Sequence, residues 1–531
     1  MAAGNKQKYG VGPRRSSVTA GYFGPLMNLA SLRRTPLLSL TLIALVPRLL
    51  AAFFSGGYFA HDDHFLVIEA AQSWVDAGDY NTWLPWNQGP DAVPSGHSFV
   101  YVGLHFLLFS LLGAVGLKDP MAAMVVVRLL HALWSLVVVR TGYRIALRLG
   151  NEEIAWRTGL FLALFYFMPF LSVRNLVEVV CIPFLMLAAW QLVKNPERPG
   201  PKQVFWAGVL IGLAINIRFQ TIFFAIGPGL VFLFQRRWSD TLRYGTGVAL
   251  ALVALQSPID LWIWGRPFAE MTEYVRYNLA NTTSYFDQPW YNYLLLLGGI
   301  FIPFFSLAVL FGFFRRTSPL LLWVPVLLFL TIHSYFPNKQ ERFLLPIVPL
   351  VFVLGYVGWE QFRAGSIFWQ QRPGLWRGTL RITWAINLLL LVVLTFTFSK
   401  RSRVMAMLSL RDGPPVHGLI VEDTVENEPP WLPMYYLGQW QATQLPEPYS
   451  DPAMLLKDQL AALPQERRPN AVLFIGPEDL EQRKARIEAL TGPLTLVAVA
   501  EPGLVDRVVH WLNPVNRNET ISVYRLEKAT P

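Results

Sequence analysis

Long apolar runs recur along most of this chain, from Pro36 to Ser399. A run of about 20 apolar residues can cross the hydrocarbon core of a bilayer as a helix. Only 15% of the residues are charged, whereas a soluble domain has about 25%. We therefore expect an integral, multi-pass membrane protein. The twelve apolar segments lie at residues 36–54, 97–117, 121–147, 156–171, 176–193, 204–217, 219–235, 244–263, 292–314, 318–335, 343–357 and 380–399.

The formal charge of +10 is distributed unevenly along the chain. Residues 404–531 carry 11 Lys and Arg against 17 Asp and Glu, so the basic excess lies entirely before them. Most of it falls in short connections between apolar runs, where Lys and Arg mark cytoplasmic loops. This pattern is a topology signal. Membrane lipids are therefore expected partners, and nucleic acid is not.

The charge distribution divides the chain into three parts. It predicts a cytoplasmic tail at 1–35, a transmembrane region at 36–400 and a non-cytoplasmic domain at 401–531. Outside loops are expected at 55–95, 264–291 and 334–342. In the last part, short β-like runs (417–421, 471–475, 494–499, 521–526) alternate with polar helical stretches (452–463, 478–490). The predicted fold is all-α and polytopic, with about 11–13 transmembrane helices, followed by a small soluble α/β domain.

Two details of the first outside region bear on this topology. A cytoplasmic N-terminus and an outside C-terminus require an odd number of crossings, and twelve is even. The conflict arises between residues 96 and 121, where either a segment does not span or a short crossing is missing. In the loop before it, apolar residues recur at helical spacing, which predicts an amphipathic helix over 63–76 on the membrane surface.

The same loop carries the first candidate site, His61-Asp62-Asp63-His64 followed by Glu69. Adjacent carboxylates at a membrane boundary are costly unless they are solvated, paired or used. One of them could act as a general base toward an acceptor hydroxyl. The simpler interpretation is a solvated helix N-terminus, where acidic side chains suit the helix dipole. His and Asp are also metal ligands, so a divalent metal is a third interpretation; no other cofactor is expected.

Basic residues in predicted outside positions form a second group. The stretch 338–343 places Lys339 and Arg342 where the positive-inside rule disfavours them. A phosphate leaving group would explain them, because cations stabilise its developing charge; pairing with Glu341 or with lipid headgroups is the alternative. Arg218 stands at the outside end of an apolar segment and either lines a polar cavity or forms a structural ion pair, for instance with Glu178.

Taken in order, these elements resemble the membrane mannosyltransferases that build GPI anchors and dolichol-linked oligosaccharides. That family has an Asp-Glu pair in its first outside loop and a Glu seven residues after the Asp. Asp62-Asp63 with Glu69 has this spacing, although Asp63 replaces the family's Glu. The family's His-Lys-Glu-x-Arg-Phe motif is similar to residues 338–343, where Asn and Gln replace His and the first Glu.

The aromatic loop between 274 and 293 adds to the resemblance. Aromatic residues there suit an interfacial belt and could also stack on sugars. Asn278, Tyr285, Trp290 and Tyr293 are in register with a family stretch of the form Asn…Tyr-Gly-Thr-x-x-Trp-x-x-Tyr. Arg218 follows a Gly-containing apolar run much as a family Arg does. The resemblance covers roughly residues 36–357 and does not extend to the C-terminal domain.

The resemblance implies an inverting transfer of a sugar, with mannose expected, from a polyprenyl-phosphate donor to a lipid-linked or glycan acceptor. The reaction would occur on the non-cytoplasmic face. Asp62 would be the base, and Asp63 would substitute for it or orient it. Lys339 and Arg342 would hold the donor phosphate with help from Arg218. The remaining substrate-binding positions would be Glu69, Asn278, Tyr285, Trp290 and Glu341.

Other functions remain open at the level of sequence. A lipid-linked-sugar transporter or flippase would line its path with charges near the bilayer midplane, whereas these charges concentrate at the outside boundary. A glycan ligase or polymerase, or a noncatalytic subunit, would share many of the same features. The scarcity of cysteine and the lack of a retention signal favour a bacterial inner membrane, with the endoplasmic reticulum membrane as the alternative.

Overall fold

The structure is a computed structural model that describes residues 33–77, 93–284, 287–423, 430–440, 443–447 and 456–526. Of the described residues up to Thr395, most are helical. The first helix, Pro36–Phe54, has the predicted bounds, and most of the others fall close to the predicted apolar segments; Ala70–Ala77, Ala269–Ala280 and Ile367–Gln371 lie in predicted connections. The helices after the first are Ala70–Ala77, Phe99–Ala114, Pro120–Leu149, Glu152–Leu164, Phe167–Ser172, Val177–Val180, Ile182–Val193, Pro201–Ile217, Ile222–Phe234, Trp238–Trp264, Ala269–Ala280, Asn292–Ile300, Pro303–Phe314, Leu320–Tyr335, Val348–Gly365, Ile367–Gln371 and Pro373–Thr395.

Five helical stretches within the described residues are long and apolar enough to cross a membrane by themselves. Several other predicted crossings are interrupted. The sharpest break divides the segment at 292–314 into Asn292–Ile300 and Pro303–Phe314, whose axes differ by 118°. Pro303 cannot continue the hydrogen-bond ladder of the preceding helix because it lacks an N–H group, and Ile302 before it has a φ of 70°.

The bundle has two ends that differ in their contacts. At one end, which we call the domain end, the chain that follows the helix Pro373–Thr395 contacts the loop that follows the helix Pro36–Phe54. There the guanidinium of Arg174 donates to the carbonyls of Ser55, Gly56 and Thr397 at 2.7–3.1 Å. The C-terminal domain also packs at this end, as shown by the backbone N–H of Tyr435, which donates to the carboxylate of Glu69 in the segment after the first helix.

The second predicted apolar segment forms the helix Phe99–Ala114, but the helix does not cross the bundle. Just before it, His97 Nε2 lies 3.9 Å from Asp62 at the domain end. Just after it, Asp119 forms an ion pair of 2.9 Å with Arg411 of the C-terminal domain. Both ends of the helix therefore lie on the same side. The predicted crossing at 97–117 is wrong. Without it the sequence predicts eleven crossings, an odd number, so the conflict in topology disappears.

The predicted surface helix at 63–76 is helical but not exposed. It consists of a turn at His61–Asp63, a π-helical segment at His64–Glu69 and the helix Ala70–Ala77. All six side chains of the π-helical segment are buried. The chain at 430–440 covers it, so the expectation of a one-sided helix on the membrane surface is wrong. Segments of π-helix are rare and occur frequently at functional sites.

Residues beyond the last long helix form the predicted α/β domain. The strands are β1 Gly418–Asp423, β2 Thr443–Glu447, β3 Ala471–Ile475, β4 Leu494–Ala500 and β5 Ile521–Leu526. They form one sheet in the order β2-β1-β3-β5-β4, in which β2, β1 and β3 pair in parallel and β5 is antiparallel to both of its neighbours, β3 and β4. The helices are Arg401–Arg411, Met434–Leu437, Leu456–Ala462, Leu480–Thr491 and Leu504–Leu512. The sequence predicted every strand except β2, which contains a proline and falls among polar residues.

Small residues allow two helices of the bundle to approach closely. Pro303–Phe314 packs against Val348–Gly365 through Gly312 and Gly355, so that a Cβ added at Gly312 would overlap the carbonyl oxygen of Gly355. Close backbone contact through small residues is a common mode of helix packing in membranes. It fixes the position of the helix that follows the 338–343 stretch.

Candidate active site

Asp62 and Asp63 lie at the domain end, in the helical turn that follows the first crossing. Asp63 is buried and its position is fixed by the chain opposite. Its carboxylate accepts the backbone N–H of Val177 at 2.9 Å, and its backbone carbonyl accepts the side-chain amide of Asn175 at 2.9 Å. The side chain of Asp62 is 32% exposed. Of the two carboxylates, Asp62 is the one that a substrate can reach.

Arg342 joins the two carboxylates from a position almost 300 residues further along the chain. Its Nη2 lies 2.6 Å from Asp62 Oδ2, and its Nη1 lies 3.2 Å from Asp63 Oδ2. Its Nε donates to the side-chain oxygen of Gln340 at 2.7 Å. A guanidinium has a fixed fork of donors that suits carboxylates and phosphates. The structure therefore brings together Asp62, Asp63 and Arg342, which the sequence analysis had identified as candidates in two distant segments.

Glu178 extends this cluster toward a second arginine. Its fully buried carboxylate lies 3.1 Å from Arg218 Nη2 and 3.8 Å from Arg342 Nε. Both guanidinium groups also lie over the ring of Phe343, at 5.1 and 5.5 Å from its centroid. Two permanent cations and three carboxyl groups thus form one contiguous cluster, which we call the Arg342 cluster: Asp62, Asp63, Glu178, Arg218 and Arg342.

Electrostatics give the two aspartates different protonation behaviour. Burial alone would raise the pKa of Asp62, but the positive charge and hydrogen bond of Arg342, together with His97 and His61, outweigh burial and hold that pKa well below the usual range. Burial raises the pKa of Asp63, the Glu178 carboxylate raises it further, and Arg342 opposes both. Asp62 is consequently the ionised carboxylate of the pair, while Asp63 takes up a proton more readily.

Lys339 does not join the Arg342 cluster, although it precedes Arg342 by three residues. Its ammonium group is buried and donates to the backbone carbonyls of Gln288, at 3.0 Å, and Phe336. Burial lowers the pKa of this lysine. Nearby, the hydroxyl of Tyr293 donates to the carbonyl of Gln340 at 3.1 Å. These bonds attach the loop around 288–293 to the 338–343 stretch, so the expected convergence of Lys339 with Asp62 is not observed.

The other predicted substrate-binding residues have contacts elsewhere. Glu69 is buried against His64, at 3.3 Å, and the backbone N–H of Tyr435. Asn278 donates to a carbonyl of its own helix, while Trp290 and Glu341 are exposed. Tyr285 lies outside the described residues. None of the four described residues makes one of the contacts that define the Arg342 cluster.

Sequence reasoning missed several residues that the structure places at this site. Glu178 was considered only as an ion-pair partner, yet an acidic residue inside an apolar run is a signal of function in membrane proteins. His97, whose Nε2 lies 3.9 Å from Asp62, carried no signal. Asn175 and Gln340 position the backbone of Asp63 and the guanidinium of Arg342. Their roles depend on contacts between distant parts of the chain.

The donor set of the site does not match a resident divalent metal. Within the described ranges, no three or more His, Cys, Asp or Glu side chains are grouped so as to hold a metal ion. Arg342 already contacts one carboxylate oxygen, Oδ2, of Asp62 and of Asp63. A guanidinium, not a metal ion, balances their charge in this arrangement.

Comparison with known sequences gives a family match over most of the chain. Residues 39–419 match the model of the Alg9-like mannosyltransferase family. Mannosyltransferase APTG1 of Arabidopsis thaliana is 23% identical over 337 residues, which cover 61% of this chain and 59% of that protein. GPI alpha-1,2-mannosyltransferase 3 of Mus musculus is 25% identical over 334 residues, or 60% and 58% of the two chains. The chain thus spans under two thirds of the length of either relative.

Two further similarities come from bacteria. An undecaprenyl phosphate-alpha-4-amino-4-deoxy-L-arabinose arabinosyl transferase of Pseudomonas aeruginosa is 28% identical over 200 residues, covering 34% of this chain and 35% of that protein. The crystal structure of ArnT from Cupriavidus metallidurans bound to undecaprenyl phosphate superposes with a TM-score of 0.59. That superposition covers 93% of this chain and 99% of the other at 12% identity, so it demonstrates a shared fold.

Proposed function

Because the chain belongs to the Alg9-like mannosyltransferase family, we propose that it transfers mannose, with inversion, from a polyprenyl-phosphate donor to a lipid-linked or glycan acceptor. The predicted family is confirmed, and the protein is a glycosyltransferase. Transfer takes place on the non-cytoplasmic face, in a bacterial inner membrane. The observation that carries the proposal is the pair formed by Arg342 and Asp62, which sets a phosphate-binding cation against an ionised carboxylate at the domain end.

The cations of the Arg342 cluster bind the donor phosphate. Arg342 and Arg218 both present guanidinium groups, which form paired hydrogen bonds with phosphate oxygens. Two relatives support a donor of this class: the name of the Pseudomonas transferase includes undecaprenyl phosphate, and the Cupriavidus structure contains that lipid. We assign Lys339 to anchoring the neighbouring loop instead of phosphate binding, because its ammonium group already donates to two backbone carbonyls.

Donor binding activates the base. In the arrangement described here, Arg342 keeps the pKa of Asp62 low, and a carboxylate with a low pKa is a weak proton acceptor. A donor phosphate competes with Asp62 for the guanidinium of Arg342. Once the guanidinium turns to the phosphate, the pKa of Asp62 rises and its exposed carboxylate can take a proton. The base thus becomes stronger only when a donor is present.

The reaction then proceeds in one displacement. An acceptor hydroxyl attacks the anomeric carbon from the face opposite the phosphate, and its proton passes to Asp62. The new C–O bond forms as the bond between the anomeric carbon and the phosphate oxygen breaks. The electron pair remains on the polyprenyl phosphate, whose charge is stabilised by Arg342 and Arg218. Asp63 and Glu178 do not exchange protons with substrate; they hold the backbone at 175–177 and the two arginines in place.

Arg342→Gln tests the phosphate assignment. The purified protein is reconstituted in liposomes with radiolabelled polyprenyl-phosphate mannose and a total membrane lipid extract as the source of acceptor. We expect the variant to lose both mannose transfer and release of polyprenyl phosphate, because its neutral amide cannot stabilise the leaving group. Arg276→Gln is the matched control, since Arg276 is an exposed arginine paired with Glu273 on a domain-end helix. Undiminished turnover by Arg342→Gln contradicts the proposal, and donor translocation without release of polyprenyl phosphate indicates a flippase.

A further inference from the structure

The C-terminal domain contains a helix whose apolar side chains point away from the protein. In Leu504–Leu512 and the turn after it, the exposed apolar residues are Leu504, Val508, Trp511, Leu512 and Val515. On the helix, Leu504, Val508, Trp511 and Leu512 recur at intervals of three and four, which places them on one face. Val515 follows in the short turn Pro514–Asn516. Trp511 and Leu504 are 80% and 76% exposed. A helix on the surface of a water-soluble domain shows the reverse arrangement, with its apolar face inward.

The opposite face of this helix attaches it to the protein through polar contacts. Asp506 is buried, and its carboxylate accepts the backbone N–H groups of Lys400 and Arg401 at 3.0 Å each. At the start of the helix, a Cβ added to Gly503 would lie 3.1 Å from the carbonyl oxygen of Phe398. The orientation of the helix is therefore fixed, and its apolar face is directed outward.

These contacts also fix the height of the helix relative to the bundle. Lys400 follows shortly after Thr395, where the last long helix ends. The five intervening peptide units can span no more than roughly 17 Å when fully extended. The last helix exposes apolar side chains along its length, as a lipid-facing helix does; these include Ile382, Leu389 and Val392. The Leu504–Leu512 helix thus begins next to the point where a lipid-facing crossing leaves the membrane.

We propose that the face formed by Leu504, Val508, Trp511, Leu512 and Val515 lies in the headgroup and upper acyl region of the bilayer on the side of the C-terminal domain. Amphipathic helices with Trp and Leu on one face insert in this way, and tryptophan prefers the membrane interface. The bilayer is favoured over a protein partner because the helix begins beside the end of a predicted crossing whose exposed apolar side chains are expected to face lipid. This contact orients the C-terminal domain against the membrane, independently of the proposed chemistry.

Lipid contact can be measured with a single fluorophore in the full chain. Trp511→Cys is labelled with an environment-sensitive dye, and the protein is reconstituted in phosphatidylcholine vesicles containing spin-labelled phosphatidylcholine. Cys181 is buried and is the sole native cysteine, so the unsubstituted chain reports background labelling. Leu490→Cys is the matched control, because Leu490 is an exposed apolar residue at the end of another helix of the same domain.

We expect the dye at 511 to be quenched by spin-labelled lipid and protected from aqueous iodide, relative to the dye at 490. Its emission should also shift to the blue when the protein is transferred from a lipid-free amphipol into vesicles. Equal iodide quenching at the two positions, with no quenching by lipid at 511, overturns the proposal. Protection from iodide that persists without vesicles and depends on protein concentration also overturns it, because it shows that a second copy of the chain covers the face.

Discussion

Replacing Asp62 with asparagine separates the catalytic role of this residue from its structural role. The substitution preserves the shape of the side chain and an oxygen that can accept from Arg342, but it removes the charge and the ability to take a proton. A general base contributes roughly 10²- to 10⁴-fold to a reaction rate. A loss of that size corresponds to about 3–5 kcal/mol in the activation barrier.

The effect on stability should be much smaller. The Asp62 side chain is 32% exposed, and Arg342 keeps the carboxylates of Asp63 and Glu178 when Asp62 is neutralised, so the loss of stability should be about 1 kcal/mol. We therefore expect Asp62→Asn to reduce kcat by roughly 10²-fold or more with little change in the melting temperature. The fall should appear in kcat rather than in the KM for donor.

The assay measures initial rates of polyprenyl phosphate release in proteoliposomes, together with thermal unfolding of the same preparations. Asp76→Asn is the matched control, because Asp76 is an exposed carboxylate further along the same helical stretch. Asp63→Asn provides the contrast: its amide oxygen can still accept from Val177, so turnover should fall less than in Asp62→Asn. Near-normal turnover of Asp62→Asn, or a larger loss in Asp63→Asn, refutes the assignment of the base.

Three further predictions follow from the same contacts. Arg342→Lys should lower kcat/KM for the donor about 10- to 150-fold, because losing one charge-assisted hydrogen bond costs about 1.5–3 kcal/mol; donor titrations of release rates measure this. Burial and the nearby Arg403 lower the pKa of Lys400 to about 7, against the attraction of Asp506. Between that value and the ordinary 10.5 the folded protein binds fewer protons than the unfolded chain, so stability should rise with pH across this window, and melting curves of Lys400→Met should lack that part of the rise. Gly312→Ala should destabilise the bundle by roughly 1–3 kcal/mol, because the added methyl group forces apart two helices; Gly378→Ala, where a Cβ meets open space, is the control for thermal unfolding.

The fold was accessible from sequence where a single physical requirement dominated. Pro36–Phe54 was predicted to the residue because a predominantly apolar run of this length must be helical to satisfy its backbone in a membrane. The helix Phe99–Ala114 was misassigned as a crossing for a related reason. Apolar composition does not distinguish a helix that crosses the bilayer from one that packs one face on the bundle and leaves apolar side chains exposed on the other, as Leu104, Leu107 and Leu111 are here.

The site was accessible only in part. The pattern of charges identified Asp62, Asp63, Arg218 and Arg342, because ionised groups at a membrane boundary need a partner or a use. Which groups meet could not be read from the chain, since Arg342 reaches the aspartates across some 280 positions. Lys339 shows the limit of reasoning from motif alone. Its charge is directed to backbone carbonyls, and Glu178, from a much earlier part of the chain, takes the place beside the arginines.

The central claim is that the guanidinium of Arg342 passes from Asp62 to the donor phosphate. A high-resolution structure of the protein with bound polyprenyl phosphate tests it most directly. We predict phosphate oxygens within hydrogen-bond distance of Arg342, and the present separation of 2.6 Å between Arg342 Nη2 and Asp62 Oδ2 lengthened beyond contact. A phosphate bound elsewhere, with the pair of Arg342 and Asp62 intact, would contradict the account.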